Sequence, residues 1–311
     1  MYSNSSIWQE IKYKYHYGGA HIKLIFINVG IFVALSLFLF FDKLLFKGIA
    51  GSFVMDNLLG SSGLRHNLFK PWTIITNLFV HDINSLSHIF FNMLVLYIFG
   101  NIVKDLIGNS KVLPIFLFSG LFGYLFFVLA YNIIPEYKIL GPISICGASG
   151  GVMGITFAAV AISPNYEIRL LFLGNVKIKW IALFYVFINI ITLQGNNAGG
   201  SLAHLAGALM GFIYIQQLQK GRDWAKPFYW LEDWIEYLRK PKPKVKVAYK
   251  KEEKVAAGHR EYRTKTSAAP SESSISKQER LDEILDKINR SGYDSLSTEE
   301  KSFLFKISQE D

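Results

Sequence analysis

Cysteine is almost missing: Cys146 stands alone among 311 residues, which excludes an intrachain disulfide, a disulfide framework and any cysteine-based metal cluster. Charge is also scarce, at 18%, against 51% hydrophobic and 15% aromatic residues and a mean hydropathy of +0.25. A water-soluble globule does not have that composition. There is no internal repeat, and no small-residue cleavage site precedes the first apolar run, so residues 1–23 read as a retained, membrane-hugging N-terminal segment. The net charge of +9 does not mark a nucleic-acid binder. Twenty of the 33 Lys and Arg lie in residues 219–311 beside 17 of the 24 Asp and Glu, and the excess is spread along the chain.

What is abundant is clumped apolar sequence. Six runs read as helices: Leu24 to Phe41, Ile89 to Val103, Val112 to Ile134, Ser149 to Ser163, Ile178 to Leu193 and Ser201 to Leu218. The expectation is an all-α polytopic membrane protein with a six-helix core over 24–218. Between the first two runs, residues 42–87 are broken by Gly48, Gly51, Gly60, Gly63 and Pro71 yet stay greasy, so this long first loop is expected to lie at the interface. Lys104, Lys111, Arg169, Lys177 and Lys179 flank the second and fourth connections, which puts those loops and both termini in the cytoplasm. Residues 219–276 read as an interfacial aromatic stretch (Trp224, Tyr229, Trp230, Trp234, Tyr237) followed by a disordered basic linker. From residue 277 to 311 a 3.6-residue period returns through Leu281, Ile284, Leu285 and Ile288. A Ser-Gly-Tyr-Asp turn and a capping-box signature at Ser297 to Glu300 then predict a small soluble helical hairpin.

Polar residues inside apolar spans carry the functional signal, because each is costly in hydrocarbon unless it faces a cavity or a partner. His88, Asn92, Ser149 and His204 are such positions. Pro164 limits the fourth helix to about 15 residues, roughly 22 Å at ~1.5 Å per residue, too short to cross alone. Irregular chain around Gly141, Pro142, Gly147 and Gly150 must complete that passage, leaving Ser149 at a sunken helix N-terminus where the dipole favours developing negative charge. Gly150, Gly154 and Ala158 form one small face, and Ala203, Gly207 and Gly211 form another. Docking the two brings the Ser149 hydroxyl near the His204 imidazole, the minimum apparatus for nucleophilic catalysis. His88 and Asn92, one turn apart, present two N–H donors on one face, as an oxyanion hole requires. Plainer roles stay open: Ser149 as an N-cap, His204 as a buried polar bridge, His88 and Asn92 as interhelical hydrogen-bonders. The spacings of His81, His88 and His204 match no metal signature, and no cofactor motif is present.

These residues resemble the rhomboid family of intramembrane serine proteases. Gly147-Ala148-Ser149-Gly150 is similar to its GxSG motif, Ala203-His204-Leu205-Ala206-Gly207 with Gly211 to AHxxGxxxG, and His88 to Asn92 to HxxxN. The resemblance covers residues 24–218. It implies an endopeptidase that cuts transmembrane protein substrates in the lipid bilayer with a Ser149–His204 dyad and no cofactor. His88, Asn92 and backbone N–H groups near Ser149, with Gly147 among them, would stabilise the transition state. Two positions depart from the family pattern: Met153 stands where many members have an aromatic residue supporting the histidine, and Trp72-Thr73 stands for a Trp-Arg pair. The terminal hairpin resembles an appendage on rhomboids of the Bacteroidetes type, which implies a bacterial inner membrane; with about seven apolar positions on two short helices it is too small for a stable core of its own and is expected to fold against a partner. Competing readings are a catalytically inactive relative that escorts membrane clients, and a transporter using His88 and His204 as a proton relay. The absence of repeats weighs against the latter.

Overall fold

A computed structural model describes residues 6–170, 174–195, 197–226, 228–229, 280–288 and 295–307. In chain order the first unit contains α1 (Ile7–Tyr17), α2 (Ala20–Phe46), α3 (Ile49–Asp56), β1 (Gly60–Ser61), α4 (Leu64–Phe69), α5 (Thr73–Thr76), α6 (Leu86–Ile107), α7 (Val112–Ile133), α8 (Pro135–Lys138), β2 (Ser144–Ile145), α9 (Ser149–Ile162), β3 (Glu167–Leu170), β4 (Gly174–Lys177), α10 (Ile178–Ile191) and α11 (Ala198–Gln219). The protein is a polytopic helical membrane protein. α2, α6, α7 with the turn before it, and α11 are long and apolar enough to cross a membrane, and α9 and α10 are shorter apolar helices of 14 residues each.

Every anticipated run is a helix, with altered ends. The first begins at Ala20, not Leu24, because His21 is buried against Gly100 of α6 and the Ala20 N–H donates to Asn109 Oδ1 at 2.6 Å. The division at residue 23 therefore falls inside a helix. Ahead of it, α1 is closed by a capping box in which Ser6 and Gln9 satisfy each other's backbone N–H groups. The first loop is more structured than anticipated. Asp42 of α2 accepts from the Ala50 and Gly51 N–H groups, at 3.2 and 2.6 Å, and so caps α3 from outside.

The outer surface carries exposed Phe40, Leu44, Phe53, Trp180, Phe184 and Phe187. In water such a surface would drive aggregation; in lipid it is ordinary solvent contact. Association inside the bilayer then rests on close packing, not on removal of apolar area from water. The tightest packing is where α7, α9 and α11 meet. A side-chain carbon at Gly207 would lie 2.3 Å from the Gly150 carbonyl oxygen, and one at Gly211 2.1 Å from that of Gly154. On α7, a carbon at Gly123 would lie 2.5 Å from the Ala203 carbonyl oxygen, and Ser119 fills the space beside Gly154. The two small faces do dock, and α7 is a third member of the junction.

α9 spans only ~21 Å at ~1.5 Å per residue. The irregular chain that precedes it is stitched to the first loop. β2 pairs antiparallel with β1, with Gly60 opposite Ile145 and Ser61 opposite Ser144. Ser62 N–H donates to the Ile143 carbonyl, while the Ile143 N–H donates to Ser62 Oγ, both at 2.9 Å. Tyr124 of α7 anchors the pair by bonding both backbone groups of Ser61. These bonds satisfy backbone groups that helix formation leaves open. β3 and β4 form a second ribbon between α9 and α10, with Glu167 opposite Lys177. Neither ribbon was foreseen by the all-α reading.

The second unit, within residues 243–311, is described at a helical stretch over 280–288 and at α12 (Thr298–Ile307). Ser297 and Glu300 form the anticipated capping box, with Ser297 N–H to Glu300 Oε2 at 2.7 Å. Lys287 donates to the Glu300 carboxylate at 2.9 Å, and that bond, together with the Ser297 N–H, holds the carboxyl below the usual range. The Arg280 guanidinium lies 5.1 Å from the Phe303 ring, and Ile284 and Leu296 are buried. The linker expected from about residue 240 to 276, the aromatic residues Trp230, Trp234 and Tyr237, and the turn at 291–294 lie outside the described residues.

Candidate active site

Four elements meet around Ser149. It is the first residue of α9, and its Oγ lies 2.7 Å from His204 Nε2 on α11. Beside it the backbone of Gly150 packs against Ala203 and Gly207, so α9 and α11 approach closely at this level. Behind the imidazole, His204 Nδ1 lies 2.7 Å from Asn189 Oδ1 on α10, and Asn189 Nδ2 donates to the Tyr185 carbonyl at 2.8 Å.

The first bond of the α9 ladder runs from Val152 N–H to the Ala148 carbonyl, so the N–H groups of Ser149, Gly150 and Gly151 precede it, as in any helix start. Above them stands His88: a side-chain carbon at Gly147 would be 3.5 Å from its Nε2 and 3.3 Å from Ser149 Oγ. Asn92, one turn further along α6, buries an Nδ2 that has no acceptor among the described residues. Gly147 requires correction. Its own N–H donates to the Asn77 carbonyl at 2.9 Å and is not free for an oxyanion. What Gly147 supplies is conformation: its φ of 130° is disfavoured for residues with a Cβ and turns the chain sharply into α9.

A cavity of about 360 Å³ opens on one side of the pair, lined by Asn77, Asp82, His88, Tyr124, Ser149 and His204. A second, of about 450 Å³, lies on the other side between α6 and α10. Ser149 and His204 border both. A hydroxyl bonded to imidazole, at a helix N-terminus and beside side-chain donors, is arranged for attack on a carbonyl carbon.

Residues 68–220 match the rhomboid domain model. The chain belongs to the rhomboid family. It is 26% identical over 214 residues to RHOMBOID-like protein 12, mitochondrial, of Arabidopsis thaliana (64% of this chain, 58% of that protein). It is 27% identical over 186 residues to Rhomboid-like protein 11, chloroplastic, of the same plant (55% and 62%), and 29% identical over 156 residues to Rhomboid protein 1, mitochondrial, of Saccharomyces cerevisiae (48% and 42%). The chain thus spans about half the length of these relatives. Residues 271–310 match a separate family of unknown function, DUF6576.

The two departures from the rhomboid pattern have local accommodations. Thr73 is fully buried with its hydroxyl on the Lys70 carbonyl at 2.7 Å, and Trp72 Nε1–H donates to the Asn57 carbonyl at 2.9 Å. Met153 is buried beside the imidazole's cavity. Sequence reading missed Asn189, although the rule that singled out the other four applies to it: it is an amide in the middle of an apolar run. His81 packs its ring 5.3 Å from that of His88. Among the described residues no three His, Cys, Asp or Glu side chains are grouped to hold a metal.

Proposed function

We propose that this rhomboid is an intramembrane serine endopeptidase that cleaves transmembrane segments of membrane proteins, with Ser149 as nucleophile and His204 as general base. The 2.7 Å bond between Ser149 Oγ and His204 Nε2 carries the reading. As Oγ attacks the scissile carbonyl, its proton passes to Nε2, and the carbonyl oxygen becomes an oxyanion. The Ser149 N–H, the His88 imidazole and the Asn92 amide are the donors aimed at it. His204 then returns the proton to the leaving amine, and water, activated by the same imidazole, hydrolyses the acyl-enzyme. Substrates would be single-pass proteins with small residues at the cut and a helix that unwinds readily. The placement of both termini in the cytoplasm and the membrane of residence, a bacterial inner membrane, belong to this proposal too. A client-escorting relative without activity would need neither the serine–histidine bond nor unused donors beside it.

The test is covalent labelling by a fluorophosphonate probe in detergent. The full chain is expected to label, and Ser149→Ala to remain unlabelled. A full chain that stays folded and unlabelled would leave the escort reading in possession. Within an active enzyme, His88→Ala and Asn92→Ala are each expected to lower kcat about 10²-fold rather than abolish turnover, since the backbone N–H remains. Full activity in the double variant would make both residues structural.

A further inference from the structure

We propose that Asn189 is a positioning residue that fixes the tautomer and tilt of His204, so that the working unit is a serine, a histidine and an asparagine on three helices. The proposal rests on the reading of Ser149 and His204 as the reacting pair. For Nε2 to take the serine proton it must present a lone pair, which requires the ring hydrogen on Nδ1. The group facing Nδ1 decides whether that tautomer is favoured, and here it is Asn189 Oδ1 at 2.7 Å. An amide can be turned end for end, but this one has its other end committed: Nδ2 donates to the Tyr185 carbonyl at 2.8 Å. Reversal would place the amide oxygen against a carbonyl oxygen. The oxygen therefore faces the imidazole, accepts from Nδ1–H, and leaves the Nε2 lone pair directed at Ser149 Oγ.

The height of Asn189 against His204 is also secured. One turn on, Thr192 Oγ1 and Ser201 Oγ are 2.8 Å apart, tying the end of α10 to α11 within a turn of His204. Asn189 is one of three buried residues on α10, while Trp180, Leu183, Phe184, Phe187, Ile190 and Ile191 are exposed. A buried amide in an apolar helix is costly unless both its ends are bonded, and here they are. With Met153 where an aromatic ring could have braced the imidazole, this bond is the polar restraint on the ring opposite the serine.

Full-length protein in detergent, with a single-pass transmembrane substrate and the fluorophosphonate probe, tests this. Asn189→Ala is expected to lower kcat about 10²-fold, with KM within about twofold and labelling slowed in parallel, because a mis-set imidazole impairs proton transfer and not substrate binding. Asn189→Asp, which restores an acceptor of the same reach, is expected to recover at least a tenth of the wild-type kcat. Asn189→Leu, of similar size without an acceptor, should behave like the alanine variant. Turnover of Asn189→Ala within about threefold of wild type would overturn the positioning role and leave the serine and histidine untouched. So would equal losses in the Asp, Leu and Ala variants that track a fall in thermal midpoint. A folded wild type inert in both assays would instead sink the protease reading, and the positioning role with it.

Discussion

Ser149→Ala and His204→Ala should each reduce turnover of a transmembrane substrate by on the order of 10⁴-fold or more, while the protein still elutes as a folded species in detergent. The losses should be similar and far from additive in the double variant, because in the proposed mechanism hydroxyl and imidazole act in one step: without His204 the hydroxyl has no base to take its proton, and without Ser149 the imidazole has no proton to take. Stability should change little. Ser149 is the first residue of α9, and its side chain makes no capping bond, so the helix does not depend on it. His204 is partly buried, and its partners Asn189 and Ser149 line a cavity where water can replace it. Turnover in either variant within tenfold of wild type would remove the pair from the mechanism.

Gly207→Val should also be damaging, although it leaves every polar group of the site in place. A side-chain carbon there meets the Gly150 carbonyl oxygen at 2.3 Å and its carbonyl carbon at 2.9 Å, distances that main-chain atoms cannot relieve by rotating a bond. α9 and α11 must move apart by roughly an ångström, and a displacement of that size at a reacting centre costs about 10²-fold. Overpacking strain of about 1–3 kcal/mol should lower the thermal midpoint as well. Gly30→Ala is the control, since nothing lies within 4 Å of a carbon added on that face of α2. Comparing fluorophosphonate labelling rates of the two variants with wild type decides the matter: wild-type labelling of Gly207→Val would mean that the close helix contact does not set the Ser149–His204 distance.

The helices and the approach of Ser149 to His204 were legible in the sequence because both signals are local or repeat at short period. Long apolar runs mark α2, α6, α7 and α11, and the i, i+4, i+8 glycines and alanines mark which faces of α9 and α11 touch. The ribbons were not legible. β1 and β2 are two residues each and pair across more than 80 positions, so neither has a pattern of its own, and only the need to satisfy backbone around Ser149 brings them together. β3 and β4 are short and hidden beside apolar helices. Gly147 was assigned a donor role from its motif, but motif position cannot reveal that Asn77, 70 residues earlier, takes its N–H. Asn189 vanished into the hydropathy of the run around it; an amide there signals only that some partner exists, and the fold alone names His204.

The contact between α9 and α11 is made by main-chain atoms, and this separates two kinds of change open to the protein. Its outward residues can be rewritten for a thicker, thinner or differently charged bilayer without touching the points where Gly207 and Gly211 meet the backbone of Gly150 and Gly154. Those points have no side chain through which they can be tuned: any residue larger than glycine at Gly207 or Gly211 acts as a wedge. Change in what the cavity accepts is thereby directed away from the contact between α9 and α11 and toward Asn77, Leu78, Asp82, Ser144, Ile145 and Cys146, which line it from the loops.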